Sequence, residues 1–422
     1  MGRLAPILWR GRGCSPATVI DRRYNCNSPR ETSGLSPERV AHYVNLMPRA
    51  LLFAALLATS LALHAADPAP GSHAAAFSDD GLTKADVSTL KDTQLVAHPD
   101  VPLKPTDNVI WCGTLQLAWN EAIKLVGSKL EFTEQPPIAD LLNREDFTGA
   151  DLNPGCYVAI ADFEHNHVED QIRAALDKVF HGAASPELIP PKSPHPGPYD
   201  FVAYAYLFKN LQFPQVFEEN DPLSFPGAEK GVQSFGFLGE NKGKLKPGVF
   251  QQVRICDYKG PDDFVISLKT NDPQDQLILA KITPGDTLNS TIAAVLARTV
   301  QGKIEYAQER DDLSIPKLNY DLEKNFKDLE GLTLKPGPNT PVKNLVTSEV
   351  KQLVRFQLNE KGAVLKSEAV MVFAATAMAG PVEPNHVMIF DKPFLILMKQ
   401  ANSPHPYFAM WVGNASLLIP AK

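Results

Sequence analysis

The 422-residue chain lacks three things that would assign it quickly: a basic face, an apolar run long enough to cross a bilayer, and cysteines at metal-binding spacing. It is 44% hydrophobic and 21% charged, so collagen-like, coiled-coil and disordered classes are excluded. Of five cysteines, Cys14 and Cys26 lie near the N-terminus, and Cys112, Cys156 and Cys256 are spaced 44 and 100 apart, which fits no zinc pattern. A Cys112–Cys156 disulfide is open in an exported chain, but the odd count leaves a free thiol, and buried apolar cysteines are expected. The formal charge of −7 is uneven: residues 1–66 carry eight Arg against three acids, leaving −12 for the rest. Such a surface repels phosphate backbones, so nucleic acid is excluded as a partner.

Catalytic motifs are missing too. There is no Gly-x-Ser-x-Gly elbow. Gly239-Glu-Asn-Lys-Gly-Lys244-Leu245 is one residue short of a phosphate loop, and no hydroxyl follows Lys244, so a polar turn is expected. Glu164-His-Asn-His167 with Glu169 offers two imidazoles and carboxylates to a metal, yet such pairs also occur at exposed helix starts. Asp311-Asp312 and Glu218-Glu219 read as solvated turns rather than catalytic dyads. No enzyme, no cofactor and no metal are expected.

What is present begins with targeting. Met47-Pro-Arg precedes a Leu/Ala run over Ala50–Leu63, followed by His-Ala-Ala-Asp. A basic start, a short apolar core and small residues make residues 47–66 a signal peptide cleaved near Ala65 or Ala66, and the core falls short of the ~20 residues a span needs. Because such a signal works only at an N-terminus, residues 1–46 are expected to be a mis-annotated upstream segment. Secretion or a periplasmic location follows.

Residues 67–107 are polar and rich in Pro and Ala, expected to be a loose N-terminal arm; the main domain is placed at 108–422. Leu115, Trp119, Ala122, Ile123 and Val126 recur at helical spacing up to Gly127, as do Val168, Ile172, Leu176 and Val179 up to Gly182. Residues 183–199 hold six prolines and predict a loop. Phe201-Val-Ala-Tyr-Ala-Tyr-Leu-Phe208 is apolar throughout and predicts a strand buried on both faces. Asp263–Leu268 is another strand. Asp286 or Thr287 caps a helix over Leu288, Ile292, Val295 and Leu296, closing at Gly302. Segments 313–319, 350–359, 363–375, 393–399 and 407–413 read as strands. Helices early and strands late, without repeat or linker, indicate one α+β domain.

Several stretches together resemble the serpin family of serine protease inhibitors, in its bacterial-type exported form. Val202-Ala-Tyr-Ala-Tyr-Leu-Phe-Lys209, with Phe213-Pro214 and Phe217, is similar to the central strand of the main sheet. Leu313-Ser-Ile-Pro-Lys317-Leu-Asn-Tyr-Asp-Leu322 resembles the Pro-Lys-Phe strand and the helix start after it. Val354-Arg-Phe-Gln-Leu-Asn-Glu-Lys-Gly362 resembles the strand that runs into the reactive-loop hinge. Ile389-Phe-Asp-Lys-Pro-Phe394-Leu and Tyr407-Phe-Ala-Met-Trp-Val-Gly413 resemble the closing strands, and Asn108-Val-Ile-Trp-Cys-Gly the start of the second helix. The likeness spans about Asn108 to Ile419; the family's first helix has no counterpart.

The resemblance implies a large central mixed sheet, two further sheets, several helices and an exposed reactive loop near the C-terminus. It implies a monomer whose partner is a serine protease: the protease cleaves the loop, which then inserts into the main sheet as a strand. The hinge would be Glu360, Lys361, Gly362, Ala363, Leu365, Ser367 and Ala369. Ala363, Leu365, Ser367, Ala369, Met371 and Phe373 would point inward, and Val364, Lys366, Glu368 and Val370 outward, so both charges fall on the solvent side. Family counting sets the scissile bond at Thr376–Ala377, in a region of Ala375, Thr376, Ala377 and Met378 suited to elastase-like or subtilisin-like proteases.

Two departures point away from inhibition. Leu365 stands where the family has a small residue, an overpacking cost of ~1–3 kcal/mol. A new strand of about ten residues at ~1 kcal/mol per hydrogen bond outweighs that, so Leu365 slows insertion without forbidding it. Cys112, Leu115, Tyr204 and Gln352 match the positions at which the family keeps a polar cluster that lets the sheet part, and here it is largely apolar. The expectation is therefore an exported, non-inhibitory serpin-like protein. Alternatives are a suicide-substrate inhibitor of a small-residue-preferring protease and an unrelated exported α+β binding protein.

Overall fold

The computed structural model describes residues 77–246, 248–300, 305–365 and 385–422. The first strands are β1 (Thr83–Asp86), β2 (Thr93–Val96), β3 (Asn108–Cys112), β4 (Tyr157–Phe163), β5 (Phe201–Leu207), β6 (Lys209–Gln212), β7 (Glu218–Leu223) and β8 (Val232–Phe237). They are followed by β9 (Val253–Gly260), β10 (Asp263–Leu268), β11 (Asp275–Lys281), β12 (Glu305–Tyr306), β13 (Asp312–Pro316), β14 (Leu318–Asn325), β15 (Thr333–Leu334) and β16 (Leu345–Val346). The last are β17 (Lys351–Asn359), β18 (Gly362–Leu365), β19 (Val387–Ile389), β20 (Phe394–Gln400) and β21 (Pro406–Val412). Among the described residues there are four α-helices: α1 (Thr114–Val126), α2 (Pro137–Leu142), α3 (Val168–Phe180) and α4 (Leu288–Thr299).

This is the multi-sheet α+β architecture expected from the order of elements. An eight-stranded sheet runs β12-β9-β10-β11-β20-β21-β3-β2, a five-stranded sheet β1-β14-β17-β18-β6, and a four-stranded sheet β19-β13-β8-β7; β4 pairs with β5, and β15 with β16. Edge strand β7 reads Glu-Glu-Asn-Asp-Pro-Leu, with acids and a proline that discourage further pairing. All seven residues of β21 are buried, as are six of seven in β20, so these strands are covered on both faces. The eight- and five-stranded sheets meet through Phe408, stacked 4.7 Å from Phe356, and through Tyr320, whose hydroxyl reaches Met410 Sδ at 3.4 Å.

The helices follow their caps. Helix α1 stops at Gly127, which takes φ +79°, a left-handed turn that glycine adopts at no steric cost. Thr287 rather than Asp286 caps α4: its hydroxyl accepts from Ser290 N and Ser290 Oγ accepts from Thr287 N, both at 3.0 Å. That helix ends at Thr299, short of the expected Gly302. Both α1 and α3 lie on the β4–β5 pair, with Phe180 of α3 5.1 Å from the Tyr206 ring.

Three expectations are corrected. Residues 77–107 are not a loose arm: β1 joins β14 in parallel and β2 joins β3, with Leu95, Val96 and Ala97 buried. The low periodicity of this stretch reflects short strands that add to existing sheets. Leu318–Asn325 is not a helix start but strand β14, in an eight-residue antiparallel ladder with β17; alternate Tyr320 and Leu322 enter the core, as period-2 burial requires. Of the acids expected at solvated turns, Asp311 departs by being buried, and Glu219 is exposed as expected but lies in a strand. Asp311 is buried and accepts from Gln308 N at 2.8 Å and His386 N at 3.0 Å, and Glu219 lies in β7, bonded to Lys317. Cys112, Cys156 and Cys256 are all free and buried. Segments 1–46 and 47–66 lie outside the described residues; among those described, no helix is long and apolar enough to cross a membrane.

Candidate functional site

The region of interest is where β5, β6, β17 and β18 meet. Residues 201–212 form one extended stretch that trades neighbours at Phe208. Up to that point β5 pairs with β4, and the ladder ends with Phe208 N donating to Cys156 O at 2.8 Å. Beyond it, β6 pairs with β18. Strand β18 in turn pairs with β17, but only through Gln357, Leu358 and Asn359. Below this bridge, β5 and the 351–356 stretch of β17 belong to different sheets, and among the described residues neither edge has a ladder partner there. The main sheet expected from the resemblance is therefore split into two parts joined at one end by four residues.

The first residues expected to form the hinge sit at that junction. Gly362 is opposite Gln212 and Asn359, and a Cβ on it would come within 2.4 Å of Leu211 O, so the close approach of β6 requires glycine. Ala363 is fully buried between Leu211 and Leu358. Its inward orientation agrees with the alternation read from Gly362, and the backbone of Leu365 follows in register opposite Lys209. Ser367, Ala369, Ala375, Thr376, Ala377 and Met378 lie outside the described residues.

The turn between β17 and β18 is held by a buried lysine. The Lys317 ammonium, 6% exposed, pairs with Glu360 at 2.8 Å and with Glu219 of β7. Burial opposes the charge, but the two carboxylates outweigh it and hold the lysine above its usual range; the lysine in turn keeps the Glu219 carboxyl below its own. Lys361 lies 3.9 Å from Glu360 at the solvent side. A cavity of about 420 Å³ opens beside this turn, walled by Ser78, Glu219, Lys317, Gln357, Glu360 and Lys422 among others. This ion pair escaped sequence reasoning, because Lys317 and Glu360 are 43 positions apart and only the tertiary fold unites them.

Cys112, Leu115, Tyr204 and Gln352 are all buried, but only part of the set converges. Gln352 Nε2 donates to Cys112 O at 3.1 Å and to Thr114 Oγ1 at 2.8 Å, tying β17 to the start of α1. Thr114, overlooked in the sequence, supplies the hydroxyl: it follows Gly113, whose missing side chain lets the Phe147 ring come within 2.3 Å of where a Cβ would stand. A polar contact thus survives on the β17 side. On the β5 side none matches it: the Tyr204 hydroxyl is buried without a partner among the described residues, and burial raises its pKa. Leu115 is fully buried, and burial likewise raises the Cys112 thiol.

The candidate ligand groups do not assemble a metal site. His165 stacks on Phe163 at 5.5 Å, while His167 turns the chain into α3 with φ +57°. Among the described residues, the one triple with ligand atoms in mutual reach is His98, Asp100 and Asp146. Arg144 already bridges both carboxylates, reaching Asp100 at 2.6 Å. Asp100 N donates to His98 Nδ1 at 3.1 Å, so the proton sits on Nε2, which faces Asp146 at 3.5 Å. That nitrogen has no lone pair to give, and the group is an ion-pair network; burial, then Arg144, depresses the imidazole.

Among solved structures, the chain is similar to serpins. It is 12% identical to human thyroxine-binding globulin complexed with thyroxine, over 74% of this chain and 93% of that one, with a TM-score of 0.42. Maspin is 12% identical over 74% and 93%, with a TM-score of 0.43. An Arabidopsis serpin in its native stressed conformation is 13% identical over 74% and 93%, with a TM-score of 0.40. No family model and no curated protein matches the chain.

Proposed function

We propose that this is a serpin-type exported protein whose main sheet accepts its own loop as a strand after cleavage, but too slowly to trap a protease. It is then a substrate-like, non-inhibitory member of the superfamily rather than an enzyme. The observation that carries this is the split sheet, with β18 seated at one end of the gap between β5 and β17. Continuing both registers past Leu365 would set Ser367 opposite Val354 and Leu207, and Ala369 opposite Gln352 and Ala205. Two free edges in register are what an added strand needs.

The far end of the gap accounts for the slowness. The Gln352–Thr114 contact fixes β17 to α1, and Tyr204 on β5 offers no polar partner among the described residues to exchange with it, so widening the gap to admit a strand means shearing packed apolar side chains. Inhibition is a race between insertion and deacylation, and a stiff sheet loses it.

Nicking the loop with elastase or subtilisin tests both halves. The expected result is a rise in Tm of tens of degrees, with the protease released intact and no SDS-stable complex. An unchanged Tm would overturn the self-insertion reading. An SDS-stable complex would make the protein a suicide-substrate inhibitor, the second reading, which the matching register of the two edges equally supports.

A further inference from the structure

The outer face of β14 and β17 carries a polar patch that reads as solvent-facing: Asn319 lies opposite Gln357 in the ladder, and Asp321 opposite Arg355. Yet all four side chains are buried. What lies over them is the chain N-terminal to β1. Ser78 N donates to Gln357 Oε1 at 3.3 Å, and Asn319 Nδ2 donates to Ser78 O at 2.8 Å and to Asp80 O at 2.9 Å. The Arg355 guanidinium pairs with Asp79 at 3.0 Å and lies 4.2 Å from the centre of the Phe77 ring.

We propose that residues 77–80 are a latch that sets how firmly the hinge strand β18 is seated. Asp321 stands opposite Arg355 in the ladder and pairs with Lys84 of β1 at 3.6 Å, so the patch keeps partners of its own and the strap is a removable cover rather than a core element. Its grip falls at the end of β17 that carries β18: Gln357, which holds Ser78, is the residue opposite Val364. Ser78 and Asp80 also wall the cavity on whose other side stand Asn359, Glu360 and Lys361 of the hinge turn. Because β18 is four residues long, its pairing depends on β17 keeping its twist at this point, and the strap stiffens it from the outer face. The latch concerns the regulation of the hinge described above; its consequence rests on that reading, its geometry does not.

The test is amide hydrogen exchange on the uncleaved protein, comparing wild type, Asp79→Asn, and the double variant Phe77→Ala with Asp79→Ala. Losing the ion pair and the cation–π contact is expected to speed exchange at residues 362–365 about tenfold in the double variant and less in Asp79→Asn, with β10 amides at wild-type rates. Unchanged exchange in β18, or an equal acceleration in β10, would overturn the latch. Asp79 is exposed, so Asp79→Asn decides the matter if the double variant does not fold. No protease enters this measurement, so the latch stands or falls apart from the cleavage experiment.

Discussion

Ala363→Arg separates a seated hinge strand from a merely adjacent one. Ala363 faces the core side of the sheet and is wholly buried, flanked by Leu358 on β17 and Leu211 on β6. An arginine there has two choices. It can bury an unpaired guanidinium among leucines, a penalty of ~3–5 kcal/mol by analogy with broken buried ion pairs. Or β18 can leave the sheet, giving up a handful of hydrogen bonds at a net ~1 kcal/mol each. The two losses are comparable, but only the second returns the charge to water, so the strand should leave while the β14–β17 ladder stays intact. Uncleaved A363R is then expected to keep its fold, to lose exchange protection at 362–365, and to show no gain in Tm when the loop is nicked, where wild type gains tens of degrees. A full gain in nicked A363R would refute the reasoning, because insertion through β18 cannot proceed past a charge at this position.

Other consequences are narrower. Gly362→Ala places a Cβ 2.4 Å from Leu211 O, so β6 must shift and the denaturation midpoint should fall by the equivalent of ~1–3 kcal/mol. Lys317→Met leaves the partly buried Glu360 without its cation and is expected to cost ~3 kcal/mol in urea unfolding; a loss under ~1 kcal/mol would show the pair to be solvent-screened. Tyr204→Phe removes a buried hydroxyl without a partner and should be neutral or stabilising by up to ~1 kcal/mol, which thermal melting can read. Lys392 and Lys281 hold the Asp262 carboxyl down to about 2. A carboxyl depressed on folding contributes stability above its ordinary range near 3.8 and loses it as pH falls toward 2, so exchange around 387–391, where Lys281 donates to Ile389 O and Asp391, should accelerate in that window. Asp262→Asn should flatten that acid response.

Local patterns in the sequence determined the elements whose burial is self-evident. The continuous apolar run from Phe201, the helical spacing ending at Gly127, and the strand read over 350–359 each state their partner surface within a dozen residues. The burial of Ala363 beside Gly362 was legible for the same reason, since period 2 carries direction along a strand. The candidate sheet-opening positions were read less well: Gln352 does meet Cys112, at its backbone oxygen, but its second bond goes to Thr114 rather than involving Leu115, because a single residue decides which side chain of a helix start faces a neighbouring strand. Tertiary structure alone decided the rest. Lys317 finds Glu360 and Glu219, Arg355 finds Asp79, and β1 finds β14 across tens to hundreds of residues, through contacts made of one or two polar groups with no periodic trace. The split between β5 and β17 was likewise invisible in the chain, because an unpaired strand edge is a property of backbone hydrogen bonds, and every residue offers the same ones.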